Sequence, residues 1–330
     1  MIEPASFIGF GLVLVGVSLA VSIALGLAFL ALQPRLRGLG AYAERTAAAL
    51  AISLPPLVGF GISAALAARS LLGGHLGMED HCPAHGHHLH LCLYHGATWA
   101  QQGWAVAVLA GACAAVVLGM GRRLVRVFGA RLALRRLTQV AQPFSGHGAS
   151  VSVVPADTVF CFTAGVRTPR IFVSSAAWDH LDSEERRAVI EHELAHVAHG
   201  DVWFRALLGA MALFGAPFLT GRLLSAWELA TERACDQKSA RVVGNSAFVA
   251  SALVKLARAA KRRAPVFAAS FPSGDVVERV ESVLRDGPDG GRAARHIALG
   301  AFGFLLVVLL VSGALVDPLH HAVETLLGMS

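Results

Sequence analysis

The sequence predicts a multi-pass α-helical membrane protein, with four spans and a small α+β domain held on one side of the bilayer. Three observations predict it. Of 330 residues, 55% are hydrophobic and only 15% charged, and the mean hydropathy is +0.59, too apolar for a soluble globular chain. Four segments, 5–32, 47–72, 97–121 and 297–316, reach the roughly 20 apolar residues that a helix needs to cross a bilayer. Between the third and fourth lies a long, more polar stretch in which short β-like runs precede helical patterns.

The first segment starts acidic, at Glu3, with no basic residue before it, and is far longer than a signal-peptide core. It reads as an uncleaved span. Arg35, Arg37 and Arg45 follow it, and Arg122, Arg123, Arg126, Arg131, Arg135 and Arg136 follow the third segment. No Lys or Arg stands between Arg69 and Arg122. The positive-inside rule then puts the N-terminus and the 73–96 loop outside, and residues 122–295 in the cytoplasm. The fourth span and a short external tail make up 296–330. The net charge of +6 is thus explained by arginines at span ends. Without interleaved aromatics they point to lipid headgroups as partner and give no direct nucleic-acid site. The five cysteines form no C-x-x-C pair. Cys82 and Cys92 share the outer loop, Cys113 falls in a span, and Cys161 and Cys235 lie on the reducing side.

Within the cytoplasmic stretch, 122–140 reads as a helix leaving the membrane and 142–150 as a Pro/Gly/Ser linker. Strand-like runs follow at 151–154, 159–163 and 171–174, with turns at 155–157 and 165–169. Asp182 and Ser183, with Glu184 and Glu185 behind them, offer an N-cap and an acidic first turn for a helix over 183–200. Segment 203–219 is harder. Its apolar core of about 14 residues is short for a span and interrupted by Pro217. A full crossing would also strand the residues after it on the far side. It is expected to dip into or lie along the inner leaflet, or else to be a buried core helix.

Helix 183–200 carries the most informative five residues of the chain, His192-Glu193-Leu194-Ala195-His196. Histidines four apart share a helical face and suit one Zn²⁺ through neutral imidazole nitrogens. The glutamate between them is placed to take a proton from water held by the metal. The third protein ligand has two candidates. His199 follows on the same helix, but three ligands from consecutive turns would not converge on a tetrahedral centre, and Val202 stands where an H-E-x-x-H-x-x-G-x-x-H pattern needs histidine. The other candidate is the acidic stripe Glu228, Glu232 and Asp236. Its plain reading is a solvated face balanced by Arg222, Arg233 and Lys238; beside the histidine pair, a metal site becomes the stronger reading.

These stretches resemble a known family. Pro169-Arg170-Ile171-Phe172-Val173-Ser174, Glu191-His192-Glu193-Leu194-Ala195-His196-Val197-Ala198-His199-Gly200-Asp201 and Glu232-Arg233-Ala234-Cys235-Asp236 look like the M56 (BlaR1/MecR1-type) membrane zinc metallopeptidases. More distantly they are similar to the M48 (Ste24/HtpX-type) proteases. The resemblance implies a zincin-like (gluzincin) domain with Zn²⁺ on His192, His196 and Glu232 and Glu193 as the catalytic base. Asp236, Asp201 and His199 would support the ligands from behind. Glu278-Arg279-Val280 with Val283-Leu284 resembles the Arg-x-x-x-Leu-Leu helix of such domains. About a dozen residues follow the fourth span, so the family's external penicillin-sensing domain is not expected and β-lactam sensing is not carried over.

The expected activity is metal-assisted peptide hydrolysis of a cytosolic or membrane-proximal protein, with substrate added as a strand along Ile171, Phe172, Val173 and Ser174. The resemblance implies a signal-relaying protease acting on a transcriptional regulator. The alternatives are quality control of membrane proteins and a proteolytically inactive, metal-sensing receptor. In the outer loop, His81, Cys82, His85, His87, His88, His90, Cys92 and His95 form a candidate sensor for an external metal ion. The bland alternative there is a polar loop with incidental metal affinity.

Overall fold

The computed structural model describes residues 4–72, 103–144, 151–165, 169–263, 273–285 and 288–314. The outer-loop residues His81, Cys82, His85, His87, His88, His90, Cys92 and His95 lie outside them. The chain runs α1 (Pro4–Leu39), α2 (Ala41–Leu72), α3 (Gly103–Val140), β1 (Gln142–Phe144), β2 (Val151–Val154), β3 (Cys161–Ala164), β4 (Arg170–Ser174) and α4 (Ser175–Asp179). It continues through α5 (Ser183–His199), α6 (Asp201–Met211), a 3₁₀ turn (Ala212–Phe214), α7 (Pro217–Val243), α8 (Ser246–Arg263), α9 (Ser273–Leu284) and α10 (Gly291–Ala314).

Among the described residues, four helices are by themselves long and apolar enough to cross a membrane: Phe7–Leu39, Ala41–Ala68, Gly103–Val140 and Gly291–Val311. Each corresponds to one of the four hydrophobic segments. Phe60, Val117, Phe302 and Leu310 stay exposed on them, which suits a lipid solvent and not water. The third helix outruns its apolar segment and continues unbroken through the arginines to Val140. α1 and α2 meet at Gly40, where φ is +116°. A Cβ there would collide with backbone atoms of Pro288 and Gly290, so only glycine fits where this turn touches the entry to α10. Ala41, Ala43 and Ala48 are buried in the first turns of α2, and Gly59 lies against Ser18. Small residues let the two helices approach closely.

Segment 203–219 is not one helix. α6 ends at Met211, a 3₁₀ turn follows, and Pro217 sits in the first turn of α7. Proline is tolerated there because its missing N–H would have no helical partner. Leu208, Ala212, Leu223 and Trp227 bury themselves against Phe29, Ala48, Ala51 and Ile52 of α1 and α2. The reversal at the 3₁₀ turn brings α7 back beside α5, which it packs against.

The sheet has the order β1-β2-β4-β3. β1 and β2 are antiparallel, β2 and β4 parallel, and β3 and β4 antiparallel. Two expectations need correction here. Residues 142–144, read as linker, form edge strand β1: Pro143 is acceptable at an edge, where one side of a strand needs no N–H. More consequential is β4, which holds Ile171, Phe172, Val173 and Ser174. It is hydrogen-bonded to β2 on one side and β3 on the other, so it has no free edge for a substrate strand. Its residues are buried instead. Val151, Ile171 and Val173 pack beneath Ile190 of α5, and this contact seats the motif helix on the sheet.

Candidate metal centre

α5 begins and ends on local signals. The Asp182 side chain accepts from the Glu185 N–H, and the Glu185 carboxylate accepts from the Asp182 N–H. This reciprocal pair satisfies two helix-start donors. Gly200 closes the helix at φ +66°, a left-handed turn that glycine adopts without penalty. The chain bends by 53° there, and Asp201 folds back so that its Oδ2 accepts from His196 Nδ1 at 2.8 Å. Because Ile190 and Leu194 lie on the sheet side, His192 and His196, half a turn round, face α7.

On α7, Glu232 and Asp236 are one turn apart. His192 Nε2 and His196 Nε2 are 3.1 Å apart. The Glu232 carboxylate lies 3.4 Å from the first and 3.5 Å from the second. Donor atoms held 2.0–2.1 Å from a tetrahedral zinc stand roughly 3.3 Å from one another. The two ring nitrogens and the Glu232 carboxylate, which turns Oε2 to His192 and Oε1 to His196, therefore stand at about the separations of ligands on one zinc ion.

The surroundings aim those atoms. His192 Nδ1 lies 2.8 Å from Asp236 Oδ1, as His196 Nδ1 does from Asp201. A carboxylate only accepts, so a neutral ring at either position keeps its proton on Nδ1 and its lone pair on Nε2, the form a metal takes. Two ring nitrogens and a carboxylate facing one another call for a positive charge between them, which in the metal-free fold is the proton on His192. Burial opposes charging of His192, yet the Asp236 and Glu232 carboxylates outweigh it and hold its pKa up to about 10. Partial burial acts against ionisation of Glu232, and the hydrogen bond from His192 with the Arg279 guanidinium holds it down to about 2. Burial likewise opposes ionisation of Asp236, and Arg279 keeps its carboxyl far below the usual range. Arg279 grips Asp236 through two hydrogen bonds, 2.8 and 2.9 Å, and reaches Glu232 at 2.9 Å.

Glu193 is buried, and its carboxylate accepts from Thr163 Oγ1 at 2.7 Å. Thr163 thus fixes the direction of the glutamate from strand β3. The neighbouring Cys161 thiol is pushed well up by burial and by Glu193, so it stays protonated. A cavity of 1010 Å³ opens over these groups, bounded by Phe162 of β3, Leu253 and Leu256 of α8 and Leu30 of α1.

The chain matches the sequence model of the family described as BlaR1 peptidase M56 over residues 99–283. It belongs to the M56 peptidase family. No curated protein and no solved structure matches it. The M56 match spans α3 to α9 and includes His192, Glu193, His196, Glu232, Asp236 and Arg279, whereas α1 and α2 precede it.

Several residues of this M56 chain stand differently from their sequence reading. The acidic stripe divides: Glu228 pairs outward with Arg205 at 2.9 Å, while Glu232 and Asp236 turn to the histidines. Arg233, expected to balance the stripe, instead pairs with Glu44 of α2 at 2.7 Å. His199 points away from the other two rings, its Nε2 2.9 Å from Tyr42 Oη. Burial and Arg45 lower its pKa to about 4, so it is neutral. A second grouping of possible ligand atoms, His196, Asp201 and Cys235, already contains a cation, because Arg45 pairs with Asp201. Three contributors were not assigned from sequence. Arg279 lay in a motif without a role, Thr163 was one residue of a strand, and Arg45 counted only toward topology.

Proposed function

We propose that this M56 protein is a membrane-embedded zinc metalloendopeptidase with a zincin-like (gluzincin) domain over 122–295. Zinc is held by His192, His196 and Glu232, and Glu193 is the catalytic base. The observation that carries this reading is the convergence of two Nε2 atoms 3.1 Å apart with one carboxylate, whose Oε2 and Oε1 lie 3.4 and 3.5 Å from them, next to the buried Glu193. Zinc suits this set of two imidazoles and a carboxylate, and when bound it polarises a scissile carbonyl and lowers the pKa of water toward neutrality. Glu193 accepts the proton of the attacking water and delivers it to the leaving amine, while Thr163 keeps its carboxylate on line. Asp236 and Asp201 hold the two rings in one tautomer. Substrate adds to β3 (Cys161–Ala164), whose outer edge is unpaired among the described residues and which borders the cavity.

Both arginine clusters lie at the same ends of their spans, which supports a cytoplasmic-membrane orientation with the N-terminus and the 73–96 loop outside. In that orientation the site faces the cytoplasm at the bilayer surface, between the membrane region 1–121 and the last span in 296–330. The substrate is a cytosolic or membrane-proximal protein, with a transcriptional regulator as the target that fits a signal-relaying protease. Comparing protein N-termini in cells carrying wild type or Glu193→Gln tests this. New termini confined to one or a few regulators support relay. Termini scattered over many membrane proteins favour quality control. No difference, with no zinc on the protein, overturns the peptidase and leaves a receptor.

Metal uptake has a pH signature. In the metal-free fold His192 is held at about 10 against a usual 6.5. Its charged form therefore stabilises that fold fully below 6.5, and this contribution is lost as pH rises toward 10. Zinc must displace that proton. Calorimetric titrations at pH 8 in buffers of different protonation enthalpy are expected to show about one proton released per zinc. A binding heat that does not change with the buffer would contradict it.

A further inference from the structure

Each histidine faces a carboxylate that is itself paired with an arginine. His192 leans on Asp236, which is paired with Arg279 of α9. His196 leans on Asp201, which is paired with Arg45. Arg45 does not come from the peptidase helices. It stands in the first turns of α2, at the end of a membrane span. Its guanidinium is mostly buried, 5.8 Å from the Trp227 ring centroid on α7. Asp201 is buried too, so without Arg45 its carboxylate would lose its paired counter-charge and the contact that directs it at His196.

Neighbouring residues fix this turn of α2 in place. The Tyr42 N–H donates to Asp289 O at 3.0 Å, and Tyr42 Oη meets His199. Glu44 is buried among Gln33, Arg37 and Arg233, at 2.8, 3.0 and 2.7 Å. The start of span two is therefore bonded to α5, α6 and α7.

We propose that Arg45 is a positioning residue of the metal centre: acting through Asp201, it fixes the tautomer and direction of His196 and makes the start of span two part of the site. The proposal rests on the reading of His192, His196 and Glu232 as metal ligands. It ties a ligand to the membrane region, so a shift of α2 relative to α5 alters the site without touching substrate.

The test uses the full chain in detergent or lipid, with zinc affinity read by chelator competition and ligand geometry by the visible bands of bound Co²⁺. Arg45→Gln is expected to weaken zinc binding about 10- to 100-fold, the usual effect of losing such support, and to shift the Co²⁺ bands. Arg45→Lys restores much of both. Arg205→Gln, which breaks an exposed pair, changes neither. In an Asp201→Asn background, Arg45→Gln adds less than about twofold, since the route through Asp201 is already cut. A folded Arg45→Gln protein with wild-type affinity and bands overturns the proposal. Where Arg45→Gln does not fold, Asp201→Asn decides, because unchanged affinity and bands there overturn it equally. Wild-type protein that takes up neither Zn²⁺ nor Co²⁺ overturns the metal-site reading itself, and this proposal with it.

Discussion

Glu193→Gln is expected to leave zinc on the protein and to lower kcat/KM for peptide cleavage by about 10²- to 10⁴-fold, the range for losing a positioned general base. The substitution is nearly isosteric. The amide oxygen can still accept from Thr163 Oγ1, which bonds Glu193 at 2.7 Å, so β3 and α5 keep their contact. What disappears is the capacity to accept a proton. His192, His196 and Glu232 are untouched, and zinc content by elemental analysis stays at the wild-type level. Cleavage at the wild-type rate would show that another group takes the proton. Loss of zinc along with activity would place Glu193 among the ligands.

The second large effect concerns Arg279. Its guanidinium is buried, spans both Asp236 oxygens and reaches Glu232. Arg279→Met would leave Asp236, one of the most deeply buried carboxylates, without its main counter-charge. Breaking a buried ion pair by removing one partner costs about 3–5 kcal/mol. The metal-free protein is therefore expected to unfold at a markedly lower temperature, and zinc affinity to fall because His192 loses its directed partner. Arg279→Lys should recover little, since an ammonium cannot make the planar two-point contact. Thermal unfolding with and without zinc checks this. A melting temperature within a degree or two of wild type would mean that Asp236 is held by something else.

How much of this was legible in the sequence depends on how local each signal is. The motif helix, read as 183–200, runs Ser183–His199 with Asp182 as its cap, because capping chemistry and a terminal glycine act within a few residues. The four spans were legible for the same reason: length and apolarity are properties of a single segment. Strand order was not. Nothing within 171–174 reveals that β2 and β3 occupy both of its edges, because pairing partners are set by contacts distant in sequence. Pro217 was read as a break inside one segment, whereas it starts a new helix. Arg45 is the sharpest case. Its partner, Asp201, is 156 residues away, and near a span end an arginine already has a sufficient explanation in membrane topology.

The measurement that bears most directly on the metal centre is the zinc content of purified Glu232→Ala and Glu228→Ala proteins beside wild type. The two glutamates are one turn apart on α7, but Glu228 is exposed and paired with Arg205, while Glu232 meets both histidines. About one zinc per chain is expected in wild type and Glu228→Ala, and little or none in Glu232→Ala. Full zinc in Glu232→Ala, or its loss in Glu228→Ala, would contradict the three-ligand site.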